Sequence, residues 1–482
     1  MAERLIIQNG QVVTPAAVLA ADVLVEDGRI AGVVAPGAVA WAGARAIDAG
    51  GCLVFPGVVD PHTHIQLDTG IYQTVDNWEI GTRTAAFGGA TTVVDFATQF
   101  PGMTFPQALE ARLAECQPAL IDYGLHMMVT DLPRDPDEAR RWLEALRDLG
   151  VPSIKLYTTY RPNYYADDAT LLHTFRAMPG DMLAMLHCEN DAMVTDATER
   201  LVAAGKTSWA YHGQGRPPEA EVESIRRVMH LAKVAGAAVY IVHNSTAQSV
   251  RQVAKAQRAN DGPPVFCETC PQYFWLDDSR YTAPNAEHFI LQPPLRPRAW
   301  QVDLLDVWTT ISAVSTDHCD YSLAQKQEHR DFTRTPGGLP GLETLFQLTY
   351  TAGVHRAAER QAAGEPVAPI PLTELARLLA TDPARIFGLF PKKGAIVPGG
   401  DADLLIYDPA PEVTIRAADQ HTIGGYCPYD GMTVQGRVRT VISRGDVLVE
   451  DGVLRGEPGR GQFVRGKPVD WAHVTRKKTV TV

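Results

Sequence analysis

VVDPHTHIQL, residues 58–67, joins a short apolar run to two histidines two positions apart, and the reading of that junction decides the fold. In an extended chain residues i and i+2 share a face, so His62 and His64 point the same way. Neutral imidazole is a common metal ligand. Hydrogen-bonded polar residues at a strand end would make the same pattern, and only the rest of the chain separates the two readings. Similar runs recur at TTVVDFA (91–97), YGLHMMVT (123–130), SIKLYTT (153–159) and MLAMLHCEN (182–190). AVYIVHNS (238–245), VFCETCP (265–271) and SAVSTDHC (312–319) complete the set. Continuous rather than alternating apolar runs suit strands buried on both faces. Helix-like segments fill most of the gaps, among them PDEARRWLEALRDLG (136–150) and EAEVESIRRVMHLAKVAG (219–236). Eight such runs with helical crossovers predict an α/β fold of the (β/α)8 TIM-like barrel type. An open doubly wound sheet ranks second, because no GxGxxG or phosphate-binding loop follows the first run.

Both ends of the chain read differently. DVLVEDG occurs at 22–28 and again at 446–452, each a β-rich run closed by the Asp-Gly hairpin signal. LIIQNGQVV (5–13), RIAGVV (29–34), DADLLIYDP (401–409) and VRTVIS (438–443) surround them. The expectation is one composite β-sandwich made from residues 1–54 and 392–482, the latter including a C-terminal tail. The barrel, residues 55–391, is inserted between these segments.

Bulk properties narrow the function. The 482 residues suffice for a large core, and 45% hydrophobic with 21% charged residues reads as globular. A net charge of −12 disfavours nucleic acid or an anionic membrane as partner. No apolar stretch approaches the roughly 18 residues of a membrane span. MAERLIIQNG reads as a first strand rather than a signal peptide. Seven cysteines, an odd and low number, point to a reducing cytoplasm rather than a disulfide scaffold. Cys267 and Cys270 form a lone CETC, with no second pair to complete a zinc site.

A barrel of this type carries its active site at the C-terminal ends of the strands. There the sequence places His62 and His64 on the first strand and Lys155 on the fourth. His187, His243 and Asp317 follow on the fifth, sixth and eighth. Convergence of all six predicts a metal centre. Lys155 fits only as a neutral amine. Desolvation and nearby cations lower its pKa from about 10.4. A neutral amine can add carbon dioxide, and the resulting carbamate bridges two metal ions about 3.5–4 Å apart. A buried ion pair is the other reading of Lys155. Asp60 shares the face of His62 and either orients a ligand or bonds the main chain.

These residues carry a resemblance. PGVVDPHTH, SIKLYTTY, LHCEN, YIVHNS, ETCPQY, PPLR and VSTDHC are similar to the motifs of the cyclic amidohydrolases, most closely the dihydropyrimidinase/D-hydantoinase branch. DNWEIGTRTAAFGGATTVVDF (76–96), PGGLPGLE (336–343) and FPKKGAIVPGGDADLLIYDP (390–409) extend it over nearly the whole chain. The resemblance implies two Zn2+ per subunit bridged by N6-carboxylated Lys155. His62, His64, Lys155 and Asp317 would hold one ion; Lys155, His187 and His243 would hold the other. It implies a homotetramer acting on a small cyclic ureide, with dihydropyrimidines or 5-substituted hydantoins opened to N-carbamoyl amino acids.

Within that scheme Asp317 is the general base and Tyr160 the oxyanion donor, although the bare sequence reads Tyr160 as packing. Main-chain groups of Gln292 and Gly337 would hold the ring's amide edge. The family more often carries Ser or Cys at the first and Asn at the second, so ring and substituent preference are where this chain departs. Leu67, Ile71, Tyr72, Trp78 and Phe100 are candidates for the substituent pocket. PQY (271–273) and Arg296 are expected to shape loops. An allantoinase is the runner-up. A mononuclear deaminase would not need Lys155. A non-catalytic dihydropyrimidinase-related scaffold would lack the ligands.

Overall fold

Eight parallel strands form the centre of the structure, a computed structural model that describes residues 4–474. Residues 1–3 and 475–482 of the expected sandwich segments lie outside the described residues. In order the strands are Val58–Asp60, Ala90–Thr98, Asp122–Met128, Ser153–Tyr157, Leu183–His187, Ala238–Ile241, Val265–Thr269 and Ala313–Val314. Each pairs with the next in sequence. The ring closes just past the ends of the first and last strands. His64 N–H donates to the His318 carbonyl at 2.7 Å, and Asp317 N–H to the His62 carbonyl at 3.0 Å. This closure decides for a barrel over an open sheet.

The first and last strands are shorter than their sequence runs. Pro61 has no N–H for a ladder, so the first strand stops at Asp60 and the two histidines sit in an extended segment beyond it. Asp60 bonds the main chain. Its carboxylate accepts from Thr316 N–H at 3.2 Å, the Thr316 hydroxyl at 2.6 Å and His62 N–H at 3.3 Å. It therefore ties the first strand's exit to the eighth's.

The two helices read from sequence form nearly as expected. Pro136–Asp148 starts at Asp135, whose side chain accepts from Glu138 N–H. Pro218–Ala235 ends at Gly236 with φ 78°, the left-handed turn that glycine accepts without strain.

Strands from both ends build two further sheets. Arg4–Gln8, Asp22–Glu26, Arg29–Val34 and Arg45–Asp48 make the smaller. In the larger, Leu404–Thr414 pairs antiparallel with Leu53–Pro56 on one side and Thr433–Ser443 on the other. Side chains alternate along it: Leu404 and Ile406 meet Val23 and Val25 of the smaller sheet, while Leu405 and Tyr407 join the barrel's core. Both copies of DVLVEDG are strands closed by Asp-Gly turns with positive φ at both residues, Asp27–Gly28 and Asp451–Gly452, but in different sheets. Buried Lys393 joins sandwich to barrel, its Nζ 2.5 Å from Asp122, 2.7 Å from Asp403 and 2.9 Å from Asp401. The segment after the last sandwich strand returns along the barrel, with Val464 N–H donating to the Tyr123 carbonyl.

Candidate metal centre

His62, His64, Lys155, His187, His243 and Asp317 converge at the C-terminal mouth of the barrel. Asp317 Oδ1 lies 3.2 Å from His62 Nε2 and 3.4 Å from His64 Nε2. Lys155 Nζ is 3.3 Å from His62 Nε2. On the other side His187 Nδ1 is 3.0 Å from His243 Nε2. Three residues here hold the left-handed backbone that L side chains avoid: His243 at φ 35°, Asp317 at 51° and Tyr160 at 77°. Such conformations cost about 1–3 kcal/mol each and persist only where neighbours enforce them. His243 N–H is held by Glu268 Oε1 at 3.1 Å, and Asp317 N–H by the His62 carbonyl.

Two buried carboxylates that the sequence reading passed over set the ring orientations. Glu268 lies against His62 Nδ1 at 2.5 Å and accepts from the Tyr240 hydroxyl at 2.8 Å. Glu189 accepts from His187 Nε2 at 2.7 Å and is paired with Arg216. Each leaves the ring's other nitrogen facing the centre, the arrangement metal-ligating histidines adopt. A signal was available: Glu189 stands two residues after His187, and Glu268 opens the ETC motif.

Burial works against the charged form of the bases in this cluster. Burial holds His62 and His243 well below the ordinary histidine value, and Lys155 adds to the effect. The Lys155 ammonium is pulled down to about 8 by burial, against the opposing influence of Asp317 and Glu268. Cation repulsion, expected from sequence as a second cause, is outweighed because carboxylates are Lys155's main charged neighbours. Burial also raises the Tyr160 phenol, which stays protonated. The donor set fits divalent cations: ligand atoms of His62, His64 and Asp317 lie within 4.8 Å of one another, and Nδ1 of His187 faces Nε2 of His243.

Above the cluster opens a cavity of about 640 Å3, within the usual size for small-molecule sites. Tyr160, Gln292, Gly337, Leu67, Ile71 and Tyr72 line it. Trp78 and Phe100 do not. Trp78 is buried in the core, its ring against Arg112 and Tyr123, and Phe100 is on the surface. Trp78 opens a helix and Phe100 follows the second strand, and an aromatic side chain at such a position reads the same whether it meets cavity, core or surface. Arg161, Tyr164, His329 and Arg334 line the cavity instead.

Lys326, also missed, is buried beneath the floor. Its Nζ donates to the carbonyls of Ile290 and Gly338 at 2.7 Å each, clamping together the segments that carry Gln292 and Gly337. Burial lowers its pKa to about 7. Charged or neutral, the amine keeps the two N–H groups this clamp uses. Of the loop-shaping residues, Arg296 bonds Ser245, Glu221 and the Arg216 carbonyl. Gln272 donates to the Thr316 carbonyl.

The amidohydrolase family profile matches residues 53–448. A D-hydantoinase from Streptomyces coelicolor is 38% identical over 474 residues, covering 96% of this chain and 98% of that protein. The chain belongs to the amidohydrolase family. Solved structures within the family agree. A D-hydantoinase from Bacillus sp. AR9 superposes with TM-score 0.90 at 35% identity, covering 96% of this chain and 99% of that one. A dihydropyrimidinase from Brevibacillus agri gives 0.89 at 33% identity, covering 97% and 99%. These relatives and structures place the chain in the dihydropyrimidinase/D-hydantoinase branch anticipated from its motifs.

Proposed function

We propose that the chain is a dinuclear zinc hydrolase that opens dihydropyrimidines or 5-substituted hydantoins to N-carbamoyl amino acids. The observation that carries this reading is a fully buried lysine among four histidines and an aspartate beneath a substrate-sized cavity. His62, His64 and Asp317 would hold one ion, His187 and His243 the other, with Lys155 carboxylated on Nζ between them. Cations held there would polarise the amide carbonyl and lower the pKa of a bound water toward about 7.

The chain's own groups account for the rest. The Asp317 carboxylate faces the cavity and takes the proton of the attacking water, then returns it to the leaving ring nitrogen. The Tyr160 hydroxyl, kept protonated by burial, donates to the oxyanion that develops on the carbonyl. Main-chain groups at Gln292 and Gly337 grip the ring's amide edge, steadied from below by Lys326. A homotetramer in a reducing cytoplasm belongs to the same reading. Family membership supports the first; seven buried cysteines, none bridged, support the second.

Three measurements on the purified protein test the proposal. Hydrolysis of dihydrouracil, phenylhydantoin and allantoin identifies the ring. Elemental analysis is expected to give about two zinc ions per chain. High-resolution crystallography is expected to show CO2 on Lys155. No turnover of any cyclic ureide by fully metallated protein would refute the function. An unmodified lysine in an active crystal would refute the bridge.

A further inference from the structure

Gly337 has its neighbour's side chain where its own would be. A Cβ built there would lie 1.7 Å from Gln292 Oε1, 2.4 Å from its Cδ and 2.5 Å from its Nε2. The Gln292 carboxamide therefore occupies the room that a side chain at 337 would need. Gln292 is half-buried, lines the cavity, and its carboxamide makes no hydrogen bond among the described residues. The other glutamine on the wall, Gln272, is bonded at both ends, to the Thr316 carbonyl and the Tyr429 hydroxyl. Gln292 differs in presenting one acceptor and two donors unspent to whatever fills the cavity. Arg334, three residues before Gly337, also lines the cavity and has no ion pair among the described residues.

A polar group that stays unpaired when a ligand displaces its water weakens binding, whereas a matched one discriminates. We propose that Gln292, in the room Gly337 leaves, is a specificity-determining residue that selects cyclic ureides whose ring substituent carries a carbonyl or carboxylate oxygen. The Gln292 amide N–H donates to that oxygen, and the Arg334 guanidinium supplies attraction at the mouth when the oxygen is charged. An alkyl or aryl substituent would strip water from the carboxamide without replacing it. The inference rests on the cyclic-ureide reading above and names the substrate class within it.

The test compares 5-butylhydantoin with 5-(2-carbamoylethyl)hydantoin and 5-(2-carboxyethyl)hydantoin, close in size and different in polarity. Wild type is expected to favour both polar substrates in kcat/KM. Gln292→Met keeps the length and removes the amide. It should lower the ratio of polar to alkyl kcat/KM about fivefold to tenfold, through KM, as one lost hydrogen bond predicts. Gly337→Ala should displace the carboxamide and lower the same ratio. In a Gln292→Ser background, Gly337→Ala should change that ratio little, because the group it displaces is gone. Arg334→Gln should act on the carboxylate substrate alone. A wild-type preference for the butyl compound, or a ratio unmoved by Gln292→Met, overturns the inference. Absence of turnover on all three hydantoins and on dihydrouracil is a different result, which overturns the hydrolase reading instead.

Discussion

Tyr160 and Asp317 are both residues whose backbone is held against its preference, and both face the cavity. Tyr160→Phe keeps the ring that packs 4.9 Å from His187 and removes only the hydroxyl. An oxyanion donor acts where charge develops, so kcat should fall by roughly 10²–10³ with little change in KM or metal content. A rise in KM alone would make Tyr160 a ground-state contact. Asp317→Asn should keep the fold and at least one metal ion while losing most activity, because a carboxamide cannot accept the water's proton. Circular dichroism, metal content and rate measured on one sample decide it; near-native turnover with metal bound would remove Asp317 from the base role. Asp317 was readable from the carboxylate it places at a strand end, whereas Tyr160 reads as packing in the bare sequence and was marked only by the family resemblance. Gln292 and Gly337 were visible only as departures, since the clash that couples them is a distance between residues about 45 positions apart.

The strand end is the element that assembles this site, and the carboxylates behind it decide which nitrogen each ring presents. Glu268 enters from the seventh strand to hold His62 of the first, so Glu268→Gln tests an arrangement spanning the barrel. Metal affinity should weaken about 10–100-fold, the usual effect of losing such a partner. Competition with a metal buffer measures this directly; unchanged affinity would mean that packing alone holds the ring. All eight barrel strands were legible because burial on both faces leaves a continuous apolar run. The eighth is shorter than its run, since only Ala313–Val314 is regular and the chain then bends to seat Asp317. The carboxylates behind the rings carried a weaker signal. Glu189 was marked only by its place two residues after His187, and Glu268 lies inside a strand, where sequence alone does not say which group its carboxylate meets.

At the scale of the whole molecule, Lys393 fixes sandwich to barrel. Burial alone would lower its pKa, but Asp403, Asp122 and Asp401 outweigh that and hold the ammonium above the ordinary lysine value. Lys393→Met leaves three carboxylates buried without their cation and should cost about 3–5 kcal/mol, seen as a lower denaturation midpoint. The raised pKa sets the sign with pH. Lys393's contribution is complete below the unfolded value of about 10.4 and fades only as pH climbs through the higher folded one. A midpoint unchanged by the substitution would show the contact to be incidental. The repeated heptapeptide revealed that both chain ends are β-structure, yet not which strands pair, because the two copies finish in different sheets. That shared sheet has a temporal consequence. Leu53–Pro56 finds its partner in Leu404–Tyr407, synthesised about 350 residues later. At ribosomal rates of about 5–20 residues per second, roughly 20–70 seconds separate the two. Through that interval the nascent chain carries an open β-edge that only its own final quarter can cover.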